Sequence, residues 1–212
     1  MLPSLMDMSF PHRWGAEVLS ARPLILPPRR FVYPREAEEV ERGALEVLVR
    51  PDAASRVNET SPEDPSCAQQ FRSPQPAQAV EPFLATCALG FRDPAVPTGV
   101  WSTPNPDELC AVAGGYAYLI DTTAPERIQM LPCRPVLAVR ALPAQGLLLF
   151  VGHHSILAWG VAGQAWESGK LSDEGVTITS IEGDVLRGLG WEMMHDKETP
   201  FALNLQTGSR LD

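Results

Sequence analysis

Short apolar runs separated by glycine-containing turns dominate the chain from residue 83 onward. The runs are FLATCALGF, ELCAVAGG, YAYLID, RIQML, PVLAVRAL, GLLLFVG, SILAWG, GQAWESG, GVTITSI, DVLRGLGW and FALNLQTG. Each run has the length of a strand, and none shows the 3.6-residue periodicity of an amphipathic helix. The pattern therefore predicts an all-β domain over residues 83–212.

Three glycines repeat at a fixed interval within this region. Gly114, Gly152 and Gly190 lie 38 residues apart, and each stands between two apolar runs. A further run precedes the glycine in the last two units, and a second turn follows at DTTAPER, GVAGQ and LQTGS. Four short strands in about 38 residues are typical of one blade of a β-propeller.

The repeat resembles β-propeller repeats in general. The resemblance covers roughly residues 97–212, and FALNLQTG at 201–208 is similar to propeller strands that end in D-x-x-T-G. It implies a small propeller-like or open antiparallel β-sheet array, and it implies no activity. Because known propellers have about four blades or more, three units leave open edges. Strands near 44–50 and 83–91 could supply a fourth sheet, the units could form an open stack, or a second copy of the chain could cover the edge.

The first part of the chain is built differently, because all but one of the 21 prolines precede residue 144. The segment RPLILPPRRFVYP at 22–34 is predicted as an extended arm, and the alternation in ALEVLVR at 44–50 predicts one strand. Residues 51–82 contain six prolines and little to bury, which predicts a flexible loop. The expected organisation is an arm with one core strand (1–50), this loop (51–82) and a repeat-built β domain (83–212).

The acidic composition of the chain makes nucleic acid an unexpected partner. The net charge is −9 and the isoelectric point is near 4.9, whereas binding to phosphate backbones needs clustered Lys and Arg, so nucleic acid is not an expected partner. The first residues lack a basic stretch followed by an apolar segment, and the longest apolar run, LLLFV, is too short to span a bilayer. We therefore expect a cytoplasmic protein without a membrane anchor.

The cysteines do not have the spacing of a zinc site. Cys67, Cys87, Cys110 and Cys133 lie 20 or more residues apart, so there is no C-x-x-C pair. Small apolar residues surround Cys87 and Cys110, which predicts buried, unreactive thiols.

Two adjacent histidines in FVGHHSILAWG raise the question of a metal or a catalytic site. They follow Gly152 at a predicted turn, and neighbouring side chains on a strand point to opposite faces, which disfavours shared metal ligation. In an up-and-down unit this turn and the crossover to the next unit lie at one end, so the long loop WEMMHDKETP at 191–200 is expected on the same rim. Trp and Met are enriched at binding surfaces. The predicted binding surface comprises Tyr116, His153, His154, Trp191, Met193, Met194, His195 and Asp196.

These features predict a non-catalytic protein-binding or scaffold module that uses the loop at 191–198 and needs no cofactor or metal. Trp159 and Trp166 are predicted to pack between the units. The alternative is a metal-dependent or acid/base enzyme of hydrolase type on the same rim. Its candidate residues are His153, His154, Asp184, His195, Asp196 and Glu198. The chain contains no G-x-S-x-G, H-E-x-x-H or phosphate-binding glycine loop, which favours the binding module.

Overall fold

A computed structural model describes residues 5–34, 43–52 and 81–211, and in these ranges the chain is built from strands. The sixteen strands are β1 (Leu5–Asp7), β2 (Trp14–Leu19), β3 (Arg29–Tyr33), β4 (Ala44–Pro51), β5 (Phe83–Ala88), β6 (Gly99–Ser102), β7 (Glu108–Ala113), β8 (Tyr116–Asp121), β9 (Ile128–Met130), β10 (Ala138–Leu142), β11 (Leu147–Val151), β12 (Ile156–Gly160), β13 (Gly163–Glu167), β14 (Val176–Glu182), β15 (Val185–Glu192) and β16 (Lys197–Asn204). In the described part of the chain one 3-10 turn, Pro143–Gln145, joins β10 to β11. The predicted all-β fold class is confirmed. Over the same ranges, no helix has the length and apolar character to span a membrane.

The strands form four sheets, which we number by their order in the stack. Sheet 1 has the order β2-β4-β5-β3, and sheet 2 has the order β1-β6-β7-β8-β9. Sheet 3 is β10-β11-β12-β13, and sheet 4 is β14-β15-β16. Most neighbours are antiparallel, but β1 pairs with β6 and β3 pairs with β5 in parallel. Apart from β1, the strands of sheets 2 to 4 follow the order of the chain and pair as antiparallel neighbours, as the repeat predicts.

Three hydrophobic cores hold the sheets together in sequence. The first core joins sheets 1 and 2 and includes Val47, Phe83, Val100 and Tyr118. The second joins sheets 2 and 3 and includes Val112, Leu119, Phe150 and Trp159. The third joins sheets 3 and 4 and includes Leu149, Trp166, Leu186 and Phe201. Within the described ranges no such core joins sheet 4 back to sheet 1, so the four sheets form an open stack with two outer faces.

The two middle sheets are buried on both faces, which explains their uninterrupted apolar runs. In β11, Leu148 and Phe150 face the second core, whereas Leu149 and Val151 face the third. Sheet 4 has only one buried face, and the burial of its strands accordingly alternates along the chain. Trp159 and Trp166 are both buried in the cores between sheets, as the sequence predicted.

The N-terminal part of the chain contributes more strands than the sequence indicated. The segment 22–34, expected as an extended arm, ends in β3, and β2 precedes it. The strand predicted near 44–50 is β4, which pairs with β2 and β5. Both β1 and β3 are edge strands, where prolines close by are tolerated because one row of backbone groups needs no partner. Apart from its ends, the loop expected over 51–82 lies outside the described residues.

The repeated glycines mark the points where the incoming chain crosses each sheet. A Cβ added at Gly114 would lie 2.3 Å from the carbonyl oxygen of Phe91, and one at Gly190 would lie 2.1 Å from that of Leu171. At Gly152 the nearest atom is the sulfur of Cys133, at 2.6 Å. In each case the neighbour belongs to the crossover from the preceding sheet. The 38-residue spacing therefore marks close crossings, with backbone at Gly114 and Gly190 and with a side chain at Gly152, where a glycine leaves the space that the crossing chain occupies.

Candidate functional site

The segment expected as a long loop at 191–200 is a strand hairpin with a short turn, so that expectation is wrong. β15 and β16 pair without interruption to Glu192 and Lys197, and only residues 193–196 form the turn. Asp196 closes it with a φ of 51°, in the left-handed region. The polar residues that suggested a loop pair across the strands instead. We call residues 193–196 the hairpin tip.

Glu192 fixes the base of the hairpin tip through three neighbours. Its carboxylate lies 2.8 Å from Nδ1 of His195 and accepts a hydrogen bond of 3.2 Å from the Thr199 hydroxyl. The ammonium of Lys197 lies 3.9 Å away. These contacts, the one with His195 foremost, lower the pKa of Glu192. Side chains of the hairpin itself thus support the tip.

The hairpin tip exposes two methionines. Met193 is 63% exposed and Met194 is 91% exposed. The backbone N–H of Met193 donates to Oδ2 of Asp173 at 2.8 Å, and Lys170 forms an ion pair with the same carboxylate. Lys170 and the Met193 amide together lower the pKa of Asp173. The crossover from sheet 3 to sheet 4 therefore anchors the tip from outside the hairpin.

His154 contacts the crossover that anchors the hairpin tip. Its Nδ1 donates to the carbonyl oxygen of Ser172 at 3.1 Å, and its own carbonyl oxygen accepts the Leu171 N–H at 2.7 Å. The hydroxyl of Ser172 in turn accepts the backbone N–H of Trp191 at 2.8 Å. His153 stands beside His154 with its ring centroid 6.1 Å away. The crossover at 171–173 thus connects the histidine turn to the hairpin.

Tyr116 lies apart from this group. Its ring packs edge-on against Phe91 at 5.7 Å between centroids, and the guanidinium of Arg134 lies over it at 5.4 Å. Both neighbours belong to segments that enter or leave sheet 2. Among the contacts of the described residues, none links Tyr116 to the hairpin.

A groove opens on the outer face of sheet 4, beside the hairpin. It has a volume of about 340 Å³ and is lined by Glu174, Gly175, Thr177, Leu189, Trp191 and Glu198. Register places Glu198 directly opposite Trp191, and Gly175 carries no side chain that could cover the other side of the indole. Sequence analysis missed Glu174 and Gly175, because they come from the crossover before β14 and meet Trp191 only through strand pairing. Trp191 is therefore half-buried on the floor of a groove with acidic walls.

One residue of the hydrolase alternative, Asp184, lies far from the hairpin tip. Asp184 lies at the β14–β15 turn, where its carboxylate accepts a hydrogen bond from Gln206. The whole of β15, roughly 25 Å at about 3.3 Å per residue, separates this turn from His195 and Asp196. In the described ranges no three His, Cys, Asp or Glu side chains are grouped so that they could hold a metal ion.

A larger groove, of about 1110 Å³, lies between sheets 1 and 2. Apolar side chains of β1, β2 and the segment 91–98 line most of it, with Leu5 and Phe91 partly exposed. This groove also escaped sequence analysis, because β1 and β2 could not be assigned to neighbouring sheets. It is distinct from the hairpin, which combines exposed methionine with acidic side chains.

No protein-family model matches the chain, and no curated protein matches it. Among solved structures, the chain is similar to the crystal structure of the N-terminal domain of Nup159, with 11% sequence identity and a TM-score of 0.36. The match covers 98% of this chain and 52% of the other, so the chain spans about half the length of that domain.

Proposed function

We propose that this protein is a non-catalytic protein-binding module and that the hairpin tip, with Trp191 behind it, is its binding surface. The observation that carries the proposal is the exposure of Met193 and Met194 at the end of a fixed hairpin. Each apolar side chain removed from water contributes about 25 cal/mol per Å² of buried area. Methionine adapts its shape to a partner through three rotatable bonds.

The support for the tip makes it a preorganised surface. The contacts of Asp173 with the Met193 N–H and of Glu192 with His195 hold the turn before any partner arrives. Less conformational entropy is then lost on association, which increases affinity. His195 and Asp196 follow the methionines in the turn, and His154, with His153 beside it, contacts the crossover that anchors Met193, so the proposed surface has polar groups at its edge, as protein interfaces do.

The remaining features of this proposal follow from the sequence. The acidic chain is proposed to act in the cytoplasm on a protein partner, without a cofactor. The outer faces of sheets 1 and 4 also leave room for a second copy of the chain, which would give a homo-oligomer.

The test compares the wild-type chain with a Met193→Gln/Met194→Gln double variant. Gln has a similar length, so the hairpin is retained while the apolar surface is lost. Val161→Gln serves as the matched control, because Val161 is also exposed (65%) at a hairpin turn, but in sheet 3. All three proteins should unfold at the same temperature.

Partners retained on the immobilised wild type are identified, purified and measured for direct binding. We expect the double variant to raise the dissociation constant at least about 10-fold and the control to leave it unchanged. A purified partner that binds the double variant as tightly as the wild type would overturn the assignment of the tip.

A further inference from the structure

We infer that the groove beside Trp191 receives an arginine side chain from the partner segment that docks on the hairpin tip. This inference rests on the proposed function and names the chemistry of the partner. It follows from the shape of the groove, its charge, and its position relative to the two methionines.

The shape of the groove suits a flat group. The indole of Trp191 lies on the outer face of sheet 4, since Gly190, its neighbour in β15, faces the crossover at Leu171. Gly175 leaves one side of this indole open, and a Cβ at that position would meet no atom within 4 Å. A volume of about 340 Å³ accommodates one long side chain and excludes a folded element.

The charge of the groove favours a cation. Glu174 and Glu198 stand on its walls, both exposed, and among the described residues neither carboxylate forms an ion pair. The basic residues nearby have other partners, since Lys197 lies against Glu192 and Arg187 pairs with Glu182 at 3.6 Å. The chain as a whole carries a net charge of −9. A cationic side chain entering the groove therefore meets two carboxylates with no competing internal cation.

Arginine fits these groups better than lysine does. A guanidinium is planar, so it can stack on the indole of Trp191 while its N–H groups donate in pairs to a carboxylate. A lysine ammonium is a compact, strongly hydrated charge that cannot do both at once. The groove therefore favours a planar cation over a compact one.

The position of the groove defines the partner segment. Trp191 and Met193 are two residues apart, which is about 7 Å along an extended chain. A partner strand can thus place an apolar side chain on the methionines and an arginine in the groove within two or three residues. We expect the partner to carry a short extended segment in which apolar residues alternate with arginine.

The test uses capped synthetic peptides and the full chain labelled with ¹⁵N. One peptide alternates leucine with arginine, a second replaces each arginine with citrulline, which has nearly the same shape but no charge, and a third replaces arginine with lysine. The readout is the indole N–H resonance of Trp191, assigned by its absence in Trp191→Phe. The variants are Glu174→Gln, Glu198→Gln and their combination. Asp184→Asn, on the same sheet but outside the groove, is the control, because an Asn can still accept the hydrogen bond from Gln206 and no ion pair among the described residues is broken.

We expect the arginine peptide to shift the Trp191 resonance, the lysine peptide to bind more weakly, and the citrulline peptide to bind at least about 10-fold more weakly. The double Glu→Gln variant should lose about 10-fold in affinity for arginine, and the control should keep it. Equal binding of arginine and citrulline, tighter binding of lysine, or an unaffected double variant would overturn the inference.

The two proposals fail in different ways. If the arginine peptide leaves Trp191 unshifted while the methionine variant still loses its partner, the binding function stands and the arginine site is excluded. If the peptide occupies the groove and the methionine variant keeps its partner, the groove binds arginine but the tip is not the docking surface.

Discussion

Trp159 in sheet 3 donates its indole N–H to the carboxylate of Glu108 in sheet 2, with 2.7 Å between Nε1 and Oε1. Trp159 is buried in the core between these sheets, and Glu108 lies at the edge of that core, at the start of β7. The bond is a polar link across an otherwise apolar interface. A hydrogen bond to a charged group stabilises more than one to a neutral acceptor.

Trp159→Phe is expected to reduce the free energy of unfolding by about 1–3 kcal/mol beyond the loss of packing, because Glu108 then keeps its burial without its donor. Trp166→Phe provides the comparison, since Trp166 donates to the neutral carbonyl oxygen of Leu205 at 2.7 Å. Its replacement should lose about 0.5–1.5 kcal/mol from the hydrogen bond. Urea unfolding of both variants measures the difference, and equal losses would contradict the charged character of the first bond.

Glu108 also predicts how stability depends on pH. Burial raises the pKa of its carboxyl group, and Asp121 nearby adds to the effect, while hydrogen bonds from Trp159 and Thr103 partly oppose it. The folded state therefore holds the proton more tightly than the unfolded state. The corresponding stabilisation is complete below the pKa of an unfolded glutamate and is lost as the pH rises through the folded pKa.

Glu108→Gln removes this titration, so the stability of the variant relative to the wild type should increase with pH in the window that begins at about pH 4, the pKa of an unfolded glutamate. Urea unfolding at several pH values in this window gives the difference. A relative stability of Glu108→Gln that falls with rising pH would show that the carboxylate, not the acid, is favoured in the folded protein.

The close crossing at Gly190 predicts how much stability is lost when a side chain is added there. A methyl group there would lie 2.1 Å from the carbonyl oxygen of Leu171 and 2.9 Å from its carbonyl carbon, and these backbone atoms cannot turn aside as a flexible side chain can. Gly190→Ala should therefore destabilise the fold by about 1–3 kcal/mol. Gly169→Ala is the matched control, because a Cβ at that site meets no atom within 4 Å. The control should change stability by less than about 1 kcal/mol, and equal midpoints for both variants in urea would contradict the close crossing.

The sequence predicted the repeated sheets because their pairings are local. The apolar runs from Phe83 onward correspond to strands joined mainly by short hairpins, and the spacing of Gly114, Gly152 and Gly190 reflects a real geometric constraint. Sheet 1 could not be predicted in the same way. β3 pairs in parallel with β5, which begins about 50 residues later, and β1 pairs with β6 across more than 90 residues. No local pattern of apolar and polar residues specifies such partners.

The sequence pointed to several residues of the candidate site but not to the shape of the site. Trp191, Met193 and Met194 were recognised as chemically distinctive, but the polar residues between 192 and 199 suggested a loop. In the structure they stabilise a hairpin, because Glu192 pairs with His195, Lys197 and Thr199 across the strands. The groove escaped prediction since Glu174 comes from another segment. Pairing register, not composition, brings it to Trp191.

The burial of the cysteines predicts that their thiols react slowly until the protein unfolds. Cys87 and Cys110 are fully buried, and burial raises the pKa of the half-buried Cys133 thiol to about 11. At about pH 8 well under about 1% of Cys133 is then the reactive thiolate. Cys133 lies in the crossover from sheet 2 to sheet 3, and its sulfur faces Gly152.

A Cys67→Ser variant restricts the assay to these three thiols. With Ellman's reagent at about pH 8 we expect no rapid phase from the folded protein and full reaction of all three after unfolding in guanidinium. Because reaction of Cys87 and Cys110 requires the first and second cores to open, their rates should increase with denaturant together with global unfolding. If one thiol reacts within seconds in the folded protein, Cys133 is accessible to the reagent. Such a result would contradict the close packing of the crossover against Gly152 in sheet 3.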